Sequence, residues 1–318
     1  MRRSFLLLTV LALGCAKSAS TGPVWPDVPG PKVVASFPPI ACFVKNVLGD
    51  RGTLRGVMSS QGPHDFDPGK AEAQAVAGAE LFVLNGLELD NGIATKMKRG
   101  SGNASLAILD LGSKLDDKLL LEGECHHDHK NGEPHHHDHG FDSHLWLGPD
   151  LAQLFVATIR DELKKIDPDH AAAYDRRAAE YAAKLAKLLD DGKATLKSKS
   201  NRKIVTMHES MGYFARAFGV EVVGSIQSAP GQEPTRKKLD EIVAAIASHK
   251  VTVIAVEPQY TSTNAVKAIQ RELKAKGLPE LTVIELDPME TAADAVPAAD
   301  WYETKMRANL AALAAALK

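Results

Sequence analysis

One uninterrupted helical stretch constrains this chain more than any other feature. Between Pro168 and residue 197 there is no second proline, and Gly192 is the only glycine. Ala171, Tyr174, Ala178, Tyr181, Leu185 and Leu188 recur at the helical period. Asp167 suits the N-cap and Pro168 the first helical position. Such a helix reaches roughly 45 Å. The chain has 318 residues, enough for two core-forming domains. A helix of that length inside it reads as a rigid backbone between two lobes.

Both sides of the helix have the same rhythm. Before it, short apolar runs at 32–37, 54–58, 81–85 and 106–111 read as strands, with helical spacing at 40–48, 70–79 and 149–165. After it, strands are expected at 204–207, 220–223, 251–256 and 281–286, and helices at 237–249, 262–276 and 301–317. Strands alternating with helices imply parallel sheets covered on both faces. The predicted fold is therefore α/β, two parallel-sheet lobes joined by one long rigid helix. The lobes span 32–166 and 200–318, and the linking helix 167–199. No internal repeat is evident in the residues themselves.

Two segments lie outside this pattern. At the N-terminus, Arg2 and Arg3 precede an apolar run, 5–13, too short for a permanent membrane span. The run leads into Gly14-Cys15, which resembles a lipoprotein cleavage site with Cys15 as the lipidated residue. Export is expected, with residues 1–15 as leader and 16–31, rich in Ser, Gly and Pro, as a flexible tether. The second segment is a polar loop, 124–140. It carries His126, His127, His129, His135, His136, His137 and His139, seven of the 12 histidines in the chain. Such a tract points to auxiliary metal contact without defined geometry. The residues leave two roles open for the remaining cysteines. Cys42 and Cys125 could pair in an oxidising compartment, or Cys125 could join the loop as a metal ligand.

The net charge is −2 and no basic stripe interleaves with aromatics, which excludes a nucleic-acid partner. Chemistry concentrates instead at junctions between strands and loops, where α/β sheets bind ligands. Three of the five histidines outside the loop stand at such places, His64, His144 and His208, and Asp287 stands at a fourth. His170 and His249 fall in or at the ends of helices and read as surface residues. Three imidazoles and one carboxylate complete a tetrahedral shell for a divalent ion, and nitrogen donors suit zinc better than manganese. Glu209 and Glu257 are candidates for support behind the ligands. Trp146 reads as packing beside the site.

The stretches PHDFDP around His64, DSHLWLGPD around His144, MHESMGYFARAFG around His208, VEPQY around Glu257 and ELDP around Asp287 carry a more specific message. With them the chain resembles the zinc/manganese-type (cluster A-I) solute-binding proteins of ABC transporters, nearest the high-affinity zinc-uptake branch. The likeness covers about residues 32–318. It implies that His64, His144, His208 and Asp287 are the metal ligands, two from each lobe, in the cleft between lobes. It implies Zn2+ as transported cargo, an ABC-importer permease and its ATPase as partners, and a monomer outside the cytoplasm. His208 stands where manganese-type members tend to have Glu. Ser143 replaces the usual Pro of the second motif, and Gly148 stands where Asp is common.

Other classes fare worse. A zinc-dependent hydrolase of the H-E-x-x-H type fails because Gly212 stands four residues after His208. No G-x-S-x-G elbow is present. The chain is therefore expected not to be an enzyme. Manganese or iron cargo on the same fold, or a surface adhesin or metal buffer without a transporter, are the nearer alternatives.

Overall fold

The computed structural model describes residues 25–123, 140–227, 230–258 and 264–318. The leader with Cys15, most of the tether, Cys125 and the loop histidines lie outside the described residues. The first lobe is built on β1 (Lys32–Ala35), β2 (Thr53–Gly56), β3 (Leu81–Leu84) and β4 (Ala107–Asp110), all parallel in the order β2-β1-β3-β4. The second lobe repeats the plan. Its strands β5 (Lys203–Thr206), β6 (Glu221–Ser225), β7 (Val253–Val256) and β8 (Thr282–Glu285) are parallel in the order β6-β5-β7-β8. All four residues of β3 and all four of β7 are buried, as expected of inner strands covered on both faces.

The helices are α1 (Pro38–Leu48), α2 (Lys70–Ala75), α3 (Asn91–Ser101), α4 (Pro149–Ile166), α5 (Ala171–Lys197), α6 (Gly212–Phe218), α7 (Arg236–His249), α8 (Asn264–Ala275) and α9 (Trp301–Ala316). Prolines open α1 and α4, where a missing N–H costs nothing. Helices α3 and α6 are not among those predicted. Helix α3 carries two glycines, Gly92 and Gly100, and α6 is only 7 residues long.

The long helix links the lobes as predicted, with one local difference. A 3-10 turn, Pro168–His170, precedes α5. Asp167 makes no capping bond to a backbone N–H. Its carboxylate instead accepts from the Tyr174 hydroxyl and pairs with His170 Nδ1 at 2.9 Å. The buried stripe of α5 runs through Tyr174, Ala178, Tyr181, Leu185, Leu188, Gly192 and Leu196. Gly192 permits a close approach. A Cβ there would lie 2.3 Å from a Phe218 ring carbon of α6 and 2.8 Å from Leu310 of α9. Among the described residues no helix is long and apolar enough to cross a membrane.

Alternate side chains of the second sheet enter different cores. Ile204, Val253 and Ala255 join a continuous core that includes β1, β3, α1, α4 and α5. Val205, Ile254 and Val256 face the other way, onto Ile242, Val243 and Ile246 of α7 and Ile269 and Leu273 of α8. The first lobe, the spine and the inner face of the second lobe therefore share one apolar interior. The C-terminal segment reinforces it. The Ala292 N–H donates to the Ser59 carbonyl at 2.9 Å, Lys45 Nζ to the Pro297 carbonyl at 2.6 Å, and Asn46 Nδ2 to the Ala299 carbonyl at 2.8 Å. Cys42 is fully buried in α1, with its sulfur 3.8 Å from the Tyr181 hydroxyl, and burial pushes its thiol up to about 11.

Candidate metal centre

Each lobe supplies two donors to one point in the cleft. His64 lies in the loop that follows β2, and Gln61 Nε2 ties that loop by donating to the Asp65 carbonyl at 2.7 Å. His144 precedes a 3-10 turn, Leu145–Leu147, that leads into α4. Asn85, at the end of β3, holds this segment from the sheet by donating to the Ser143 carbonyl at 2.8 Å. Tyr213 of α6 holds it from the other lobe, accepting from the Leu121 N–H at 3.0 Å and donating to the Asp142 carbonyl at 2.9 Å. His208 follows β5 directly, and Glu290 lies in the segment after β8.

The donor atoms of these four residues all lie within 4.8 Å of one another. His64 Nε2 is 3.3 Å from His144 Nε2 and 3.4 Å from Glu290 Oε1. Glu290 Oε1 is 3.7 Å from His144 Nε2 and 3.6 Å from His208 Nε2. Donors 2.0–2.1 Å from a tetrahedral zinc ion are separated by about 3.3 Å, so four of the six spacings are near that of a closed zinc shell. The set is also short of partners. His208 Nε2 and Glu290 Oε1 are buried and make no hydrogen bond. Burying such atoms unpaired is costly, and a cation between them would satisfy both.

The ring nitrogens turned away from this point are held by carboxylates. His144 Nδ1 is 2.7 Å from Asp142 Oδ1, which also accepts the His144 N–H. His208 Nδ1 makes a short hydrogen bond with buried Glu257. Each contact fixes the ring and leaves Nε2 pointing at the centre. Glu257 thus stands behind His208, on the side of the ring away from the donor group. Glu209 is half-buried and outside the four-donor group. His144, His208 and Glu290 are nearly fully buried, whereas the His64 side chain keeps 25% of its surface, so the cup opens on the His64 side.

Electrostatics match this arrangement. Burial alone would lower the pKa of His208, but the carboxylates of Glu257 and Glu290 outweigh it and raise the imidazole to about 9. Burial alone would raise that of Glu290, yet the facing imidazoles, His208 first, hold its carboxyl well below the usual range.

The structure gathers three of the four residues predicted as ligands and leaves the fourth outside the group. It brings His64, His144 and His208 together, but the fourth donor in the group is Glu290, not Asp287. Asp287 Oδ2 binds Lys305 Nζ at 2.7 Å, and Oδ1 accepts the Met289 N–H at 2.7 Å. The Asp-Pro sequence held the clue. An aspartate in a turn tends to bind the backbone two residues on, which leaves the next carboxylate, Glu290, free for other work. Trp146 packs beside the site, 5.2 Å from the His144 ring, and its indole N–H also reaches the other lobe, donating to the Pro288 carbonyl at 2.7 Å. His170 and His249 are surface residues paired with acids.

Two parallel α/β lobes on a helical spine, with a metal-binding cup between them, define a metal-binding solute-binding protein of the ABC-importer kind. The chain belongs to the family described as zinc-uptake complex component A, periplasmic (ZnuA), which matches residues 33–316. It is 32% identical to the high-affinity zinc uptake system protein ZnuA of Bacillus subtilis over 272 residues, covering 84% of this chain and 83% of that protein. It is 28% identical to the zinc-binding protein AdcA of Streptococcus pyogenes over 291 residues, 89% of this chain but only 55% of AdcA. Among solved structures, the Zn(II)-bound E280Q variant of AdcAII from Streptococcus pneumoniae superposes with a TM-score of 0.73 at 26% identity, covering 91% of this chain and 99% of that one. The family is one of solute-binding proteins, not enzymes.

Proposed function

We propose that this protein captures Zn2+ outside the cytoplasm with His64, His144, His208 and Glu290, and presents it to a permease and ATPase for import. The observation that carries the reading is the donor set. Three Nε2 atoms and one carboxylate oxygen converge at spacings suited to a tetrahedral ion, and two of them are buried without a hydrogen bond. Oxygen-loving ions such as manganese prefer more oxygen donors and larger shells than this cup offers. The zinc-related names of the relatives agree with the choice. In this reading the N-terminal pattern ending at Cys15 would tether a monomer to the membrane. The loop histidines would collect metal weakly beside the tight site.

The test uses protein lacking residues 125–139, purified without added metal. It should still carry about one zinc per chain, bound in competition with a chromophoric chelator. His208→Ala in the same background should weaken zinc at least tenfold, because it leaves Glu257 and Glu290 facing a gap. Wild-type affinity in that variant would sink the ligand set.

A further inference from the structure

The turn that leads into Glu290 has an unusual backbone. The residue before it, Met289, is buried with φ at +61°, in the left-handed region that side chains avoid. A turn of this kind must be held by its surroundings. Asp287 holds it from three sides. Its Oδ1 accepts the Met289 N–H at 2.7 Å across the turn. Its own N–H donates to Asn309 Oδ1 at 2.9 Å, and its carbonyl accepts from Asn309 Nδ2 at 2.8 Å. Its Oδ2 takes the Lys305 ammonium at 2.7 Å. Lys305 and Asn309 are four residues apart on α9, so one face of that helix grips one residue of the turn. Trp146 pins the intervening Pro288 carbonyl from the first lobe.

We propose that Asp287 is a positioning residue for metal capture. Clamped by Lys305 and Asn309, it imposes the left-handed turn at Met289 that aims Glu290 at the three imidazoles. This rests on Glu290 being a ligand. The acceptor atom, not the negative charge, does the positioning, because Oδ1 meets a backbone N–H and the charge is turned to Lys305. An asparagine retains that acceptor, whereas an alanine does not.

The experiment compares Asp287→Ala, Asp287→Asn, Lys305→Met and Glu290→Gln in the full chain. Zinc affinity is read by chelator competition. The ligand-field absorption of the cobalt(II) form reports the coordination shell. Asp287→Ala should lose about ten- to a hundredfold in zinc affinity, the range for groups that orient ligands, and should change the cobalt spectrum. Asp287→Asn should keep the spectrum and lie within about threefold of wild type, since the bond to Met289 survives. Lys305→Met, which loosens the clamp and leaves Oδ1 in place, should show a smaller loss and carries the test should Asp287→Ala not fold. Unchanged affinity and spectrum in both Asp287→Ala and Lys305→Met, with only a lower melting temperature, would overturn the proposal, as would an Asp287→Asn as defective as Asp287→Ala. If Glu290→Gln itself matched wild type, the ligand reading would be the part that failed.

Discussion

At the residue scale, His208 decides how the site responds to pH. Its imidazole is raised to about 9 in the metal-free protein, against about 6.5 in an unfolded chain. A raised histidine stabilises the folded state fully below about pH 6.5 and loses that contribution as pH climbs through about 9. Metal binding has the opposite sign, because only neutral imidazole can ligate. Zinc should therefore displace about one proton from His208 at pH 7.5, and affinity should rise with pH until about 9. Calorimetry in buffers of different ionisation enthalpy measures that proton directly. No proton release would mean that His208 is already neutral in the empty site. The three histidines of the cup were legible in the sequence because each stands where a strand run gives way to a loop. Glu290 was not. Its place depends on the left-handed backbone at Met289 and on partners in α9, neither of which appears as a periodic pattern in the chain.

At the scale of elements, the strands and most helices were readable because inner parallel strands are short apolar runs and helices follow a regular period. What escaped was contact between elements. The sequence shows Gly192 as a lone glycine in a long helix, ordinarily a destabilising choice worth about 1 kcal/mol relative to alanine. The packing reverses that expectation, since a methyl group there would press into Phe218 and Leu310. Overpacking of this sort costs typically 1–3 kcal/mol. Gly192→Ala should thus destabilise the protein by up to about 2 kcal/mol net, with zinc affinity little changed. Urea denaturation of the metal-free form would show it, and a stabilised variant would mean that α6 and α9 give way easily. The lobes repeat the same strand order without a visible repeat in sequence. Buried apolar residues exchange freely so long as volume and period are kept, so the topology remains after the letters have diverged.

On the scale of the whole molecule, the shared core limits how the lobes can move. Phe43 of α1 packs against Tyr302 of α9 at 4.9 Å between centroids. The Tyr302 hydroxyl donates to the Trp146 carbonyl at 2.7 Å, below the cup. Opening the cleft widely would break these contacts and expose apolar surface. Capture is therefore expected to proceed by local adjustment of the loops that carry ligands, not by a wide hinge. Small-angle scattering of the empty and zinc-loaded forms should give the same radius of gyration within error, and a clear compaction on loading would count against the rigid spine.

The path of the last segment has a consequence for how the chain reaches this state. Helix α1 forms early in the sequence, yet Lys45 and Asn46 donate to carbonyls at residues 297 and 299, and Gly56 at the end of β2 faces the Ala295 carbonyl. A ribosome delivers those partners about 250 residues later. Until they arrive, the strip that seals α1 is missing. The chain should accordingly mature in one late cooperative step, and a version stopped before residue 290 should be digested by protease throughout its length, not trimmed to a resistant first lobe.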